Sequence, residues 1–287
     1  MQLDMVAVRE SVRRALREDL GDAGDLTTEV SGVGEQRKQA RIIARSDGFL
    51  AGVAIAEECF RACDPDVEVA ALQDDGDRIT SGVVVMIVTG KASALLAAER
   101  TALNYMQRLS GIATRTGAFV AAIAGTGARI FDTRKTTPGM RAFEKYAVAV
   151  GGGVNHRFGL FDQVLLKENH FALTDTVYEE VVQRAVAQSR GVVIAEARNV
   201  LEACAAVCGG AGVVLLDNFS PGPELRSAVK ACRAQARELG REVEIEASGG
   251  VSLKTVRRFA ECGVDRISVG ALTHSVEALD VSMLIGE

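Results

Sequence analysis

Beyond Gly127 the chain settles into a rhythm that leaves few folds open. "ARIFDT" precedes a helical stretch over 141–150, and "DQVLLK" precedes one over 174–189. "VVIAEA", "GVVLLD", "VEIEAS" and "RISVG" follow, each with a loop or helical segment behind it. Strand-to-helix units repeated in this way predict a parallel sheet joined by crossover helices. No GxGxxG follows the first strand, which disfavours a dinucleotide-binding fold and leaves an incomplete parallel (β/α) barrel.

What ends these strands is more informative than the strands themselves. In order they close on Thr133-Arg134-Lys135, Lys167, Glu196, Asp217, Ser248-Gly249-Gly250 and Gly270. The carboxyl ends of a parallel barrel share one rim, where active sites are built. Cations, two carboxylates and two glycine turns therefore converge on one mouth.

The amino-terminal part lacks that alternation. A helix is predicted over 4–18, a Gly- and Asp-rich loop over 18–29, strands at 38–46, 67–72 and 83–89, and a helix around 53–63. This pattern reads as an α+β domain. A long helix begins near Ser93, rich in Ala, Leu and Met. Asp25 and its neighbouring threonines read as turn and capping residues.

Charge narrows the ligands. The net charge is −5, but from Arg100 to Lys167 ten Lys or Arg face three acids, a local balance of +7 against −12 elsewhere. A positive field inside an acidic protein suits a small anion better than a polymer. With no tryptophan and 5% aromatics, base stacking is disfavoured, and no nucleic-acid partner is expected. No secretory signal or membrane-length apolar run is visible, so a cytoplasmic protein without a membrane partner is expected. Six cysteines without a CxxC read as reduced thiols, Cys59 with Cys63 and Cys204 with Cys208 being helical neighbours.

Several chemistries fit the rim. The Ser248–Gly250 and Gly270 turns, each opening a following helix, present backbone N–H groups to a phosphate, or they are two plain tight turns. Glu196 and Asp217 form an acid/base pair, a Mg²⁺ site shared with substrate oxygens, or salt bridges to Lys135 and Lys167. Arg157 suits bidentate carboxylate binding, and His156 gains weight from its cationic surroundings. His170 and His274 read as loop or capping residues, because no pair has metal-ligand spacing. Lys135 or Lys167 as a Schiff-base lysine of a barrel aldolase is an alternative. A phosphate-sensing module without catalysis would keep the glycine turns but need neither both carboxylates nor the further cations.

"ERTALNYMQRLSGIAT", "DTRKTTPGMR", "EKYAVAVGGGVNHRFGLFDQVLLKENH", "VVLLDN" and "EASGGVSLKTVRRFAECGVDRISVGALTHS" closely resemble the quinolinate phosphoribosyltransferase family. The resemblance runs from "EDLGDAGDLTTE" through "ALDVSMLI", nearly the whole chain. It implies an incomplete barrel with an N-terminal α+β sandwich domain. The expected division is 1–110, completed by 272–287, and 111–271 for the barrel.

It further implies transfer of the phosphoribosyl group of phosphoribosyl pyrophosphate to quinolinate. The products are nicotinate mononucleotide, pyrophosphate and CO2, a step of NAD biosynthesis that uses Mg²⁺. By the same resemblance Arg134, His156, Arg157 and Lys167 hold the quinolinate carboxylates. Arg100 joins them from a neighbouring subunit, in a homodimer or higher even oligomer. Lys135, Glu196 and Asp217 handle ribose, pyrophosphate and Mg²⁺, and Thr133 joins the binding set. Lys135, Lys167, Glu196 and Asp217 carry the catalytic roles, and Ser248, Gly249, Gly250 and Gly270 bind the 5′-phosphate. Ile194 and Arg198 stand where the family often has acids, and Ala149 where a cation is common. A paralogue associated with molybdenum transport shares "TRKT" and "GIATRT" but resembles the chain less at "NHR" and "KENH".

Overall fold

The computed structural model describes residues 2–286. In chain order the elements are α1 (Met5–Leu20), α2 (Leu26–Ser31), β1 (Arg37–Ala44), β2 (Gly48–Phe49), α3 (Val53–Cys63), β3 (Glu68–Ala71), β4 (Arg78–Ile79), β5 (Val84–Lys91) and α4 (Ala92–Ala122). There follow β6 (Arg129–Phe131), α5 (Arg141–Val150), β7 (Leu165–Leu166), α6 (Glu168–Ala172), α7 (Tyr178–Gln188), β8 (Ile194–Ala197), α8 (Val200–Cys208) and β9 (Val213–Asp217). The last are α9 (Pro223–Glu238), β10 (Glu244–Ser248), α10 (Val256–Ala260), β11 (Arg266–Ser268), α11 (Ala271–His274) and β12 (Val281–Ile285).

The chain forms two compact units. The first comprises 1–117, 138–152 and 275–287, the second 118–137 and 153–274. In the first, an antiparallel sheet runs β12-β1-β5-β3. Its period-two burial is clean on β1, where Ala40, Ile42 and Ala44 face the core between more exposed residues. α1 packs against α3, and Ile55, Phe60, Leu95, Leu103, Met106 and Leu109 are fully or almost fully buried. β12 closes one edge in register Ala40↔Ile285 to Ala44↔Val281.

The expected division puts 111–117 in the barrel and 272–274 with the first domain, whereas the first unit keeps 111–117 and the second takes 272–274. Residues 138–152, also expected in the barrel, belong to the first unit. Local packing explains this. Arg108 on α4 donates to the buried Glu144 of α5 at 2.8 Å, the Tyr146 hydroxyl donates to Asp75 at 2.6 Å, and Tyr105 meets Phe143 edge to face.

The second unit is the parallel sheet expected from the alternation, in the order β6-β11-β10-β9-β8-β7. Val154, which belongs to no strand, adds a parallel bridge to Phe131 of β6. Crossover helices α8 and α9 pack together, as do α7 and α8. Their apolar faces, with Ala203, Ala206, Leu225, Ala228 and Cys232, are buried. The helix predicted over 174–189 is shorter, beginning at Tyr178 after a threonine-linked turn at 174–176. The loop predicted over 18–29 contains a helical turn, because Asp25 caps α2 by accepting the Thr28 amide. All six cysteines are free thiols.

Candidate active site

The strand ends of the second unit surround a cavity of about 680 Å³. Thr133, Arg134, Lys135, His156, Arg157, Lys167, Glu196, Asp217, Ser248, Gly249, Gly250 and Gly270 all line it. Of the candidate site residues named from sequence, Arg100 alone lies elsewhere. It is exposed on α4, in the first unit.

The segment after β6 is built as a staple and a display. Asp132 is fully buried and accepts the Asn155 amide and the His156 backbone N–H, both at 2.7 Å. That locks the 153–157 segment to the strand end. Beyond it, Thr133 Oγ1 accepts the Lys135 N–H at 3.0 Å, and the Lys135 carbonyl accepts the Thr273 hydroxyl at 2.7 Å. The backbone is held while the Arg134 and Lys135 side chains reach the cavity. At Gly270 a Cβ would lie 2.9 Å from Lys135 Cδ, so glycine there keeps room for the lysine stem.

His156 is engaged on both nitrogens. Its Nδ1 accepts the Arg157 N–H at 2.7 Å, which puts the ring hydrogen on Nε2, 3.4 Å from Glu246 Oε1. Arg157 is almost buried, and its Nη1 donates to the Gln163 carbonyl at 3.1 Å. Burial pulls its guanidinium below the ordinary value, as does the neighbouring Arg134, against the pull of Asp162.

Across the mouth, Glu196 accepts the Glu168 N–H at 3.2 Å, and its Oε2 lies 4.0 Å from Lys167 Nζ. Its own carbonyl accepts the Tyr178 hydroxyl at 2.7 Å, while the Tyr178 ring stacks on Phe171 at 4.0 Å. Burial pushes the Asp217 carboxyl above its usual range, against the opposing pull of Lys167 and Lys135. The charges of the two lysines thus act on this carboxyl, and the Asn218 amide donates to it at 2.6 Å. Asn218 takes a left-handed backbone, φ 59°, and its N–H donates to the Ser248 carbonyl. Gly249, at φ +96°, faces it so closely that a Cβ would overlap Asn218 Oδ1.

The lining also includes Glu246, Ser268 and His274, with Leu165, Leu215, Val251, Val269 and Ala271, none of them named for the site from the sequence. Strand parity was a usable signal for the first two, because Glu246 shares a face with Ser248 and Ser268 lies in register with Ser248. His170, read as a capping residue, caps α6 through Nδ1, which accepts the Lys167 N–H at 2.8 Å. Arg198, at an acid position of the family pattern, pairs with Glu202 and Glu168.

The architecture has counterparts among known proteins. The family model of the quinolinate phosphoribosyl transferase N-terminal domain matches residues 25–110, and that of the C-terminal domain matches 112–284. This chain belongs to the quinolinate phosphoribosyltransferase family.

Among its relatives in that family is the Bacillus subtilis protein named "Probable nicotinate-nucleotide pyrophosphorylase [carboxylating]". It is 42% identical over 93% of this chain and 89% of its own length. A quinolinate phosphoribosyltransferase (decarboxylating) 1b of Nicotiana tabacum is 40% identical over 96% and 81%. The NadC crystal structure from Streptococcus pyogenes superposes with a TM-score of 0.91 at 36% identity, over 100% of this chain and 99% of that one. The nicotinate-nucleotide pyrophosphorylase structure from Francisella tularensis gives 0.92 at 35% identity, over 99% and 98%. The incomplete barrel expected from sequence is therefore the fold of the quinolinate phosphoribosyltransferase family.

Proposed function

We propose that this chain joins quinolinate to phosphoribosyl pyrophosphate, releasing pyrophosphate and CO2 and leaving nicotinate mononucleotide. One observation carries the reading: a single cavity combines Arg134, Lys135, Arg157 and Lys167 with Glu196, Asp217 and the 248–250 glycine turn. Two polyanions brought together need cations, and a sugar carbon that becomes positive as its leaving group departs needs carboxylates.

The pyridine nitrogen is itself the nucleophile, so no activating base is required. Its lone pair forms the bond to ribose C1 as the bond to the pyrophosphate oxygen breaks. The ring nitrogen is then cationic. It draws the electron pair left on the ring carbon when the adjacent carboxylate departs as CO2, and that carbon afterwards takes a proton from solvent. Arg134, Arg157 and Lys167 are assigned to the pyridine carboxylates, and Lys135, Glu196 and Asp217 to the phosphoribosyl donor. Ser248–Gly250 and Gly270 are assigned to its 5′-phosphate. His156, expected among the carboxylate-holding residues, has both ring nitrogens directed at protein groups and is assigned instead to orienting Arg157 beside the carboxylates.

Mg²⁺ fits the donor set. Glu196 and Asp217 offer two carboxylates and Asn218 an amide oxygen. No dedicated group of three or more His, Cys, Asp or Glu gathers among the described residues. That suits an ion held by one or two carboxylates together with substrate phosphates. When bound, it would neutralise charge building on the departing pyrophosphate.

The reading extends to a cytoplasmic homodimer, or a higher even oligomer, in which Arg100 serves a neighbouring subunit's site. Free cysteines support a reducing compartment. No helix among the described residues is long and apolar enough to cross a membrane.

The test is direct. The purified protein should release CO2 and pyrophosphate only when quinolinate, phosphoribosyl pyrophosphate and Mg²⁺ are all present. Equal turnover of nicotinate, which has one carboxylate fewer, would sink the claim that a dicarboxylate is read. Borohydride trapping of a carbonyl compound on Lys135 or Lys167 would replace this reading with a Schiff-base one.

A further inference from the structure

Below the rim lies a carboxylate to which the reaction above gives no role. Glu246 stands two residues before Ser248 on β10, about 7 Å deeper into the barrel. It is fully buried and in register with Leu215 of β9. With Leu165, Leu215 and Ser268 it lines the cavity. Its Oε1 accepts the Ser268 hydroxyl at 2.5 Å and faces His156 Nε2 at 3.4 Å. Its Oε2 is buried and has no hydrogen-bond partner among the described residues. Arg266, its register partner on β11, turns its guanidinium to Glu244 instead. Among the described residues no lysine or arginine pairs with Glu246.

A buried carboxylate oxygen without a partner costs free energy in the empty site. Such a cost is retained where the charge does something in the occupied one. The lining suggests where the pyridine lies. Its flat ring needs apolar surface, offered by Leu165 and Leu215, and its carboxylates need Arg134, Arg157 and Lys167. Glu246 belongs to both neighbourhoods, in register with Leu215 and linked through His156 to Arg157.

Resting on the reaction proposed above, we infer that Glu246 is a further residue of the pyridine subsite. Its fixed negative charge opposes binding of the dianionic substrate and favours the ring as its nitrogen turns cationic. An interaction stronger in the transition state than in the ground state raises kcat, and one unfavourable only to the ground state raises it further.

Glu246→Gln removes the charge while keeping the size and the oxygen that Ser268 needs. Quinolinate binding, followed by calorimetry without phosphoribosyl pyrophosphate, should tighten about three- to tenfold. At the same time kcat should fall at least about tenfold. A residue that merely held the barrel together would weaken both. Ser268→Ala, which leaves the charge in place, should lower kcat less and should not tighten binding. Glu246→Ala should shift binding in the same direction as Glu246→Gln and serves if the glutamine variant does not fold.

Unchanged or weaker quinolinate binding in a folded Glu246 variant overturns the inference. So does an unchanged kcat in Glu246→Gln, the result expected if Glu246 acts as a neutral donor that glutamine can imitate. A wild-type protein inert toward quinolinate and phosphoribosyl pyrophosphate would overturn the reaction itself. An active wild type with a behaviourally silent Glu246→Gln overturns only the role of Glu246.

Discussion

Gly249 is a position where one methyl group does disproportionate damage. Its φ of +96° is strained for any L side chain, and a Cβ would run into the Asn218 amide. Gly249→Ala is expected to cost about 1–3 kcal/mol of stability in denaturant titration, and binding of phosphoribosyl pyrophosphate should weaken as the turn shifts. Arg134→Ala acts on the other substrate. The variant should keep the wild-type melting profile yet lose about 2–5 kcal/mol of quinolinate binding, because a desolvated carboxylate is left unpaired. Retained quinolinate affinity in that variant would refute its assignment. At this scale the rim was legible because each strand of the alternation ends on a polar or glycine residue, and strand ends in a parallel barrel converge whatever their sequence separation. Glu246 was not. In "EIEAS" an acid alternating with apolar residues looks like a solvated strand face, and only the gathering of the strands around the cavity makes Glu246 a buried lining residue. His274 was read as a loop residue because nothing in its sequence neighbourhood shows that α11 faces the cavity beside Gly270.

Helix caps and latches carry the next level. The Asp25 carboxyl is held below its ordinary value of 3.8, first by the Thr28 hydroxyl and then by the Thr28 amide. A depressed folded value means that the stabilisation is complete above the unfolded one and lost as pH falls through the folded one. Asp25→Ala should therefore lower stability by about 1 kcal/mol at neutral pH. The gap from wild type should begin to close as the pH drops past 3.8 and vanish once the folded carboxyl is protonated. Equal stability of the two proteins at neutral pH would remove the capping role. Tyr178 latches α7 to the end of β8 through the Glu196 carbonyl. Tyr178→Phe keeps the stack on Phe171 but leaves that carbonyl without its partner, a loss of about 0.5–1.5 kcal/mol. A fall in kcat larger than the fall in stability would show that the latch also aims Glu196. The short α2 was hidden in the sequence because Gly and Asp on either side of "LTTEVS" mark turns, and a six-residue helix leaves little periodicity to read.

Across the whole molecule, charge and connectivity set the expectations. Chelation of Mg²⁺ should abolish turnover without unfolding the protein, and melting curves with and without chelator should nearly coincide when no substrate is present. If Arg100 serves a neighbouring subunit, mixing Arg100→Ala with Arg134→Ala chains should restore part of the activity, and no rescue after demonstrated subunit exchange would argue against a shared site. A change of rhythm was legible beyond Gly127, whereas the chain first leaves the first unit after residue 117. The return of 138–152 to the first unit was not, because an amphipathic helix carries no mark of which core it will join. The pairing of β1 with β12 has a consequence for synthesis. Residues 40–44 wait for residues 281–285, so the first sheet stays open at one edge until those later residues have left the ribosome. A strand edge exposed for so long is a site for mispairing and chaperone capture. Deleting residues 281–285 should therefore lower soluble yield more than it lowers the activity of the molecules that do fold.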